Sequence, residues 1–534
     1  MNDVVVVGGG PTGLLLAAEL RLAGADPLVL EAADDAGRQT RSLGMRGING
    51  RSVQTLELRG LTGPLAEAQW GMFARRAADR RSGDATDEIA PLVRMLRDGR
   101  AKGHFAGLPL VEEAGERSGI PELFLLKQHL LEQVLLSWAR ELGVRIWPGC
   151  PVVDVIDEGS AVVAVLADGR SVRGAYLVGC DGGRSVVRKR AGIDFPGTAA
   201  TMTGRTAVAE LADPDAVRSV TRGPGGLVNL SLVAGEVATI EFDGGPDERD
   251  APVTVKELEA SIRRASGVPA TVARLGAGIR YSDNTRQAAT YRRGRVLLAG
   301  DAAHVHSPIG GQGLNLGMQD AVNLGWKLGL VVRGLAPEGL LDTYTAERHP
   351  VGARVLRNTR AQVALMRPGP QVDALRLVLG ELLADPATKR HLMALVNNTD
   401  IDYGCSGRSG SAGPVPRDDP DRSPTAHPLV GRFTPPLPLE PAGRAAVAAA
   451  LREGRAVLLD LADSPETRAA AGGHTDRVRV VCAGDHSGPV DGVAGLLIRP
   501  DGYVAWASPE AGPAGLPEAL HDWLGPANRV RVTP

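Results

Sequence analysis

Residues 1–31 constrain this chain more than any other stretch. Asp3–Val7 is an apolar run of strand type, and it enters Gly8-Gly9-Gly10-Pro11-Thr12-Gly13. A leucine- and alanine-rich segment of helical type follows as far as Gly24. A second strand, Pro27–Leu30, then ends in Glu31, 18 residues after the third glycine of the pattern. GxGxxG between a strand and a helix inside a βαβ unit is the fingerprint of a dinucleotide site. Gly8 permits the tight turn, Gly10 lets backbone approach a pyrophosphate, and Gly13 lets helix and strand pack closely. Glu31 can accept hydrogen bonds from a ribose 2′-hydroxyl. An acid here suits a dinucleotide without a 2′-phosphate, FAD or NAD.

Arg295–Gly334 has a related design. Arg295–Ala299 reads as a buried parallel strand. Gly300-Asp301 ends it, and a turn with Pro308, Gly310, Gly311 and Gly313 follows. From about Leu314 the apolar positions Leu316, Val322, Leu324, Leu328 and Val331 recur at helical spacing. Amides at a helix start lack intrahelical acceptors and carry partial positive charge, which suits the negative edge of a ligand. Taken alone, the stretch also reads as a strand-loop-helix corner with Asp301 as a cap. A third segment, Tyr176 to Arg188, places Asp181-Gly182 at a strand end, with Ser185 and Arg188 opening a helix.

At 534 residues the chain exceeds one ordinary domain, and two or three are expected. The 60 Lys and Arg nearly balance the 62 Asp and Glu, so nothing suggests a nucleic-acid partner. No apolar run reaches the ~18 residues of a membrane helix. The N-terminus runs directly into a strand without a signal-like segment, so the cytoplasm is the expected compartment. The four cysteines, Cys150, Cys180, Cys405 and Cys482, are far apart and form no metal-ligand spacing, so no metal is expected. Cys150 and Cys180 read as packing residues.

The three segments together resemble the single-component FAD-dependent aromatic hydroxylases, the phenol hydroxylase-like group. They correspond to its dinucleotide fingerprint, its DGxxSxxR motif and its second flavin motif, across about residues 3 to 355. GHFAGLPL at 103–110 and GGQGLN at 310–315 resemble the bacterial aromatic-polyketide members. The resemblance implies that Asp301 holds the ribityl chain. Pro308 and the loop Gly310, Gly311 and Gly313 would lie beside the flavin ring, with the amides of Leu314 and Asn315 at its pyrimidine edge. It also implies that Asp181 and Arg188 shape the dinucleotide site and that Gln128 touches FAD. Arg41 and Arg51 would reach the pyrophosphate and the ring end, with Arg38 and Arg46 as weaker candidates and Arg51 and Pro308 closest to the chemistry. Ser52 stands where the family usually has Thr. His104 and Phe105 are weak substrate-contact candidates.

The implied fold is α/β: a Rossmann-type FAD-binding domain with a β-sheet substrate domain, as in p-hydroxybenzoate hydroxylase, plus a thioredoxin-like C-terminal domain. The expected FAD-binding domain takes residues 1–75, 110–182 and 283–400. The substrate-binding domain takes 76–109 and 183–282. A Gly/Ser/Pro-rich linker spans 401–424, and the C-terminal domain spans 425–534 without a redox CxxC. Within this frame Phe124–Gly143 and about Val372–Val396 are each expected to be one helix.

The implied activity is monooxygenation. FAD stays tightly bound, and NADPH or NADH visits to reduce it. A flavin C4a-hydroperoxide then hydroxylates a polyaromatic polyketide with O2 as co-substrate. No side-chain nucleophile is needed, and no Ser-His-Asp or Cys-His constellation is found. Baeyer-Villiger insertion next to a polyketide ketone is the first alternative. A degenerate flavoprotein that shields an unstable intermediate is the second. The small C-terminal domain leaves room for a homodimer.

Overall fold

The computed structural model describes residues 1–34, 43–79, 90–113, 123–213, 216–217, 220–229, 235–404, 427–437, 439–482 and 492–528. Its central sheet has parallel strands in the order Val296–Leu298, Ser171–Gly179, Asn2–Val7, Pro27–Leu30, Arg145–Trp147. Arg292–Arg293 adds an antiparallel edge, and Val152–Asp157 and Val162–Leu166 extend the other end of the 171–179 strand. The middle strand is apolar from Val4 to Val7 because both faces are covered there: Val4, Val5 and Val6 have no exposed surface.

The helix Gln312–Val332 is the spine of the molecule. The helix Pro11–Leu22 crosses one side of it at very short range. A Cβ on Gly317, Gly325 or Gly329 would lie 2.5, 2.4 and 2.3 Å from Thr12, Glu19 and Ala23. The other side carries Trp326 and Leu330, which share one apolar cluster with Leu458, Leu497, Trp506, Leu520 and Leu524. The spine is therefore buried almost all round, which explains its broad rather than striped apolar pattern.

Two further sheets flank this unit. An antiparallel sheet runs Val220–Arg222, Gly226–Asn229, Glu236–Glu241, Thr203–Leu211, Val272–Ser282. The helix Val255–Ser266 covers one of its faces through Leu258, Ile262 and Ala265. It is capped by Thr254, whose hydroxyl accepts from the Glu257 amide at 3.2 Å, and it stops at Gly267 in the left-handed region. The C-terminal sheet has the order Val478–Cys482, Ala456–Asp460, Gly495–Ile498, Val504–Ser508, the first pair parallel and the others antiparallel.

Two expected helices differ. Phe124–Lys127 is a strand paired with Met45–Ile48, and the helix begins only at Gln128. The pairing of Ile48 with Phe124 brings two chain-distant segments together, which periodicity does not show. The expected helix 372–396 is two, Pro370–Leu382 and Pro386–Asn397. Pro386 cannot continue the first, and Asp385 caps the second by accepting from the Thr388 amide at 2.7 Å. The hairpin Ala101–Phe105 and Leu108–Val111, expected with the substrate sheet, packs on the helix Pro386–Asn397 instead. Among the described residues no helix is long and apolar enough to cross a membrane, and no group of His, Cys, Asp and Glu could hold a metal.

Candidate functional site

Strands 2–7, 171–179 and 296–298 are parallel neighbours and end together, with Val7 beside Gly179 and Gly179 beside Leu298. The turns beginning at Gly8, Asp181 and Gly300 therefore leave from one edge, the carboxyl end of a parallel sheet where ligands of such folds bind. The three turns are about 170 and 120 residues apart in the chain. Topology makes them one site.

The first turn is closed by backbone. Gly8 has φ 106°, and a Cβ there would lie 2.3 Å from the Cys180 carbonyl oxygen. A Cβ on Gly13 would lie 1.9 Å from the Gly8 oxygen. Gly10 is the N-cap of the helix that starts at Pro11. Glu31 is buried, and its carboxylate accepts from the Gly9 amide at 2.6 Å and the Ala33 amide at 2.8 Å. It therefore braces the glycine turn as well as standing where a ribose acceptor is expected.

In the second turn, one Asp181 oxygen accepts from the Val186 and Val187 amides at 2.7 and 3.1 Å, and the other has no partner. Burial pushes this carboxyl up, against the pull of those hydrogen bonds. Arg188 stacks on Phe195 at 3.7 Å and donates to the carbonyls of Ala302 and Gly183 at 2.8 and 2.9 Å. It ties the second turn to the third from beneath.

In the third turn, Asp301 is solvent-facing yet crowded by protein on most sides. That crowding raises its carboxyl pKa, while His304 and Arg46 pull it back. Arg46 sits within electrostatic reach of Asp301, Tyr281 and Glu236, and its Nε donates to Gln128 Oε1 at 3.2 Å. Gln128 in turn donates to Glu132 at 2.9 Å. So Arg46, the weaker candidate from sequence, stands at this corner among the described residues. Arg51 is a correction. It is buried away from the corner, its guanidinium 4.0 Å from the Phe433 ring centre and donating to Gln54 and the Thr399 carbonyl at 2.5 and 2.8 Å. A guanidinium so committed to C-terminal packing is not presented to a ligand. Arg38 and Arg41 lie outside the described residues.

The glycine loop begins at exposed Pro308 and buried Ile309. Gly310 and Gly311 have φ 89° and 63°, conformations open to glycine, and the helix starts at Gln312. Counting from that start, the amides of Gln312, Gly313 and Leu314 lack intrahelical acceptors. Asn315 comes one position late, and its side chain is a brace: it accepts from the Asn49 amide at 3.1 Å and donates to the Gly47 and Gly311 carbonyls at 2.8 and 2.9 Å. Ser52 donates to the Asn315 carbonyl at 3.3 Å. His306 Nδ1 donates to the Ser307 carbonyl at 2.7 Å, and burial holds this imidazole down to about 4, so it is neutral at neutral pH.

Ile309 joins Met202, Val363, Ile240, Phe242 and Tyr281 in one apolar cluster, so the loop meets the uncovered face of the five-stranded sheet. That face also carries Thr206 and Ala238, paired in register. A hollow of about 400 Å³ lined by Val208, Glu210 and Arg274 lies at the opposite end of this sheet and holds none of the sequence-predicted residues. His104 is exposed, its Nδ1 accepting from the Gly107 amide at 3.2 Å. Phe105 is a second correction: it is buried among Leu110, Leu365, Met393 and Val396 as a core residue.

These residues fit a flavin dinucleotide. An orphaned carboxylate oxygen on Asp181, an open carboxylate on Asp301, a glycine cradle and two helix starts face one edge. Sequence reasoning passed over Thr12, Asp320 and Arg348. Thr12 wedges against Gly300 and Gly317, and the Asp320 carboxylate accepts from the Gly300 amide at 3.1 Å.

Comparison with known proteins agrees. The family described as FAD binding domain matches residues 1–359, and that described as aromatic-ring hydroxylase, C-terminal, matches 427–527. The chain is 38% identical to 12-dehydrotetracycline 5-monooxygenase/anhydrotetracycline 6-monooxygenase of Streptomyces rimosus, covering 98% of this chain and 99% of that one. Among solved structures, the OxyS anhydrotetracycline hydroxylase from Streptomyces rimosus superposes with TM-score 0.79 at 37% identity, over 98% of this chain and 99% of that one. CabE, an aromatic hydroxylase from angucycline biosynthesis, gives TM-score 0.79 at 37% identity, over 99% and 100%.

Proposed function

Because this chain belongs to the FAD-dependent aromatic-ring hydroxylases and is an FAD-dependent monooxygenase, we propose that it hydroxylates a multi-ring aromatic polyketide in antibiotic-type biosynthesis. The observation that carries the site assignment is the convergence of the Gly8, Asp181 and Gly300 turns at one end of the parallel sheet. Bound there, FAD supplies electron transfer from NADPH or NADH to O2 and insertion of one oxygen atom into an electron-rich ring.

The chain's own residues divide the remaining work. Glu31 faces the adenosine ribose, and the start of the helix at Pro11 faces the pyrophosphate. Asp301 accepts from the ribityl hydroxyls, with Asp181 alongside. The free amides of Gln312, Gly313 and Leu314 stabilise negative charge at the pyrimidine edge. Pro308 and Gly310 would hold the ring from the loop, and Arg46, braced by Gln128, would supply positive charge beside it. The substrate lies between this loop and the sheet face of Thr206, Ala238, Ile240 and Tyr281, an apolar wall suited to fused rings. The residues before about 401 form the FAD-binding and substrate domains, those after about 425 the C-terminal domain, and the enzyme works in the cytoplasm.

The test is product mass spectrometry with tetracyclic and angular polyketide quinones, NADPH and labelled oxygen. One labelled hydroxyl per turnover is expected. A labelled lactone would replace hydroxylation by Baeyer-Villiger insertion, and a converted substrate without label would make the bound flavin a non-oxygenating one.

A further inference from the structure

Behind the Gly300 turn lies a chain of polar groups, buried at Asp320, His304 and Arg348 and half-buried at Tyr403, that the proposed chemistry does not use. Asp320, on the spine helix, has no exposed surface. One of its oxygens accepts from the Gly300 amide at 3.1 Å and from His304 Nε2 at 2.6 Å. The other accepts from Arg348 Nε at 2.8 Å. Arg348, also buried, donates onward to the Leu316 carbonyl at 3.1 Å and to the Tyr403 hydroxyl at 3.0 Å. The Tyr403 ring lies 4.3 Å from that of Tyr503, in the C-terminal hairpin that follows Arg499.

Glu347, the residue before Arg348 on the helix Asp342–Met366, makes a parallel link. It accepts from Arg499 at 2.6 and 3.0 Å, from Lys327 at 2.7 Å and from Asn323 at 2.5 Å. Asp320, Asn323 and Lys327 stand three and four residues apart, on one face of the spine. Each anion in this set has a cation partner, so the network sits buried without an unpaired charge.

The Gly300 amide that Asp320 binds belongs to the Ala299–Gly300 peptide, so the buried carboxylate pins the point where the turn leaves the strand Val296–Leu298, one residue before Asp301. The same oxygen holds His304, three residues after Asp301, so Asp320 braces the turn on both sides of that carboxylate. We propose that Asp320 is a positioning residue of the flavin site, and that the C-terminal sheet sets its orientation through Tyr403 and Arg348. This rests on the reading of Asp301 as a flavin-binding carboxylate. It gives the C-terminal sheet a role in the site that needs no cysteine chemistry: Tyr503 packs on the Tyr403 ring, and the Tyr403 hydroxyl accepts from Arg348.

The experiment is titration of apoprotein with FAD, followed by flavin fluorescence and visible absorption, on wild type, Asp320→Asn, Tyr403→Phe and Asp301→Ala. Asp320→Asn keeps the shape and removes the charge that orients Arg348 and His304. It is expected to weaken FAD binding by about 10- to 100-fold, as loss of a supporting partner does for a liganding group, and to shift the flavin absorption band. Tyr403→Phe deletes one hydroxyl and is expected to weaken binding roughly 3-fold in the same direction, the scale of one hydrogen bond. A folded Asp320→Asn protein with lower thermal stability but wild-type FAD affinity and spectrum overturns the proposal, making Asp320 merely structural. If Asp320→Asn does not fold, Tyr403→Phe decides: wild-type affinity there also overturns it. Wild-type affinity in Asp301→Ala would instead overturn the reading of the site on which the proposal stands.

Discussion

The two glycine-rich turns of the site look alike in sequence and are held in different ways. The turn at Gly8 is locked by its own neighbourhood: backbone against backbone at Gly8 and Gly13, and Glu31 on the Gly9 amide. The turn at Gly300 is held from behind by Asp320, Arg348 and Arg188, and beyond them by a C-terminal sheet that begins more than 150 residues later. A turn closed by backbone leaves no room for variation. A turn held by a buried ion network is adjustable at its supports, and it depends on a second domain being in place.

The largest effect is expected at Gly13. Gly13→Ala places a methyl 1.9 Å from a carbonyl oxygen that cannot move, so a loss on the order of 4 kcal/mol or more is expected, read as insoluble or unfolded protein. Near-normal stability would mean the turn is softer than its geometry. Next comes the support network. Arg499→Met leaves the Glu347 and Asp501 carboxylates buried without their main partner and should cost about 3–5 kcal/mol in denaturant unfolding. The same network sets an acid limit. Burial opposes ionisation of Glu347, but Arg499 and Lys327 outweigh it and hold its carboxyl down to about 2. A depressed acid contributes stability that is present above its unfolded value and lost as pH falls toward 2, so docking of the C-terminal sheet should weaken across that window.

Smaller effects sharpen the contrast. Glu31→Ala removes an acceptor from one buried and one half-buried amide and should cost about 2 kcal/mol of stability, with FAD affinity about tenfold weaker. Unchanged affinity would leave Glu31 only as a brace. His306 is held to about 4, below its ordinary value near 6.5. A base depressed in the folded state contributes stability present above pH 6.5 and lost as pH falls toward 4. Flavin retention should decline over that interval in the wild type and decline less in His306→Gln, measured by ultrafiltration.

The fold and the place of the site were legible because their signals are local. Strand, glycine turn, helix and acid stand in sequence order at 3–31, and the Asp-Gly and Gly-Asp turns follow strands of plain apolar type. Arg51 was misread because spacing gives distance along the chain, not the face a side chain takes. Its stacking on Phe433 is a contact between residues nearly 400 apart. Arg46 reached the corner because its strand pairs with Phe124–Lys127, a pairing hidden while that segment looked helical. Asp320 left no sign at all, since a carboxylate on a helix reads as a solvated face until its partners, Gly300, His304 and Arg348, are seen around it.

The most direct test is the flavin content of Asp301→Ala as purified, from visible flavin absorbance against protein, with circular dichroism to confirm the fold. A folded protein that is nearly colourless and regains little FAD on soaking is expected. A folded, fully yellow protein would contradict it, and would move the ribityl chain away from the corner on which the whole assignment turns.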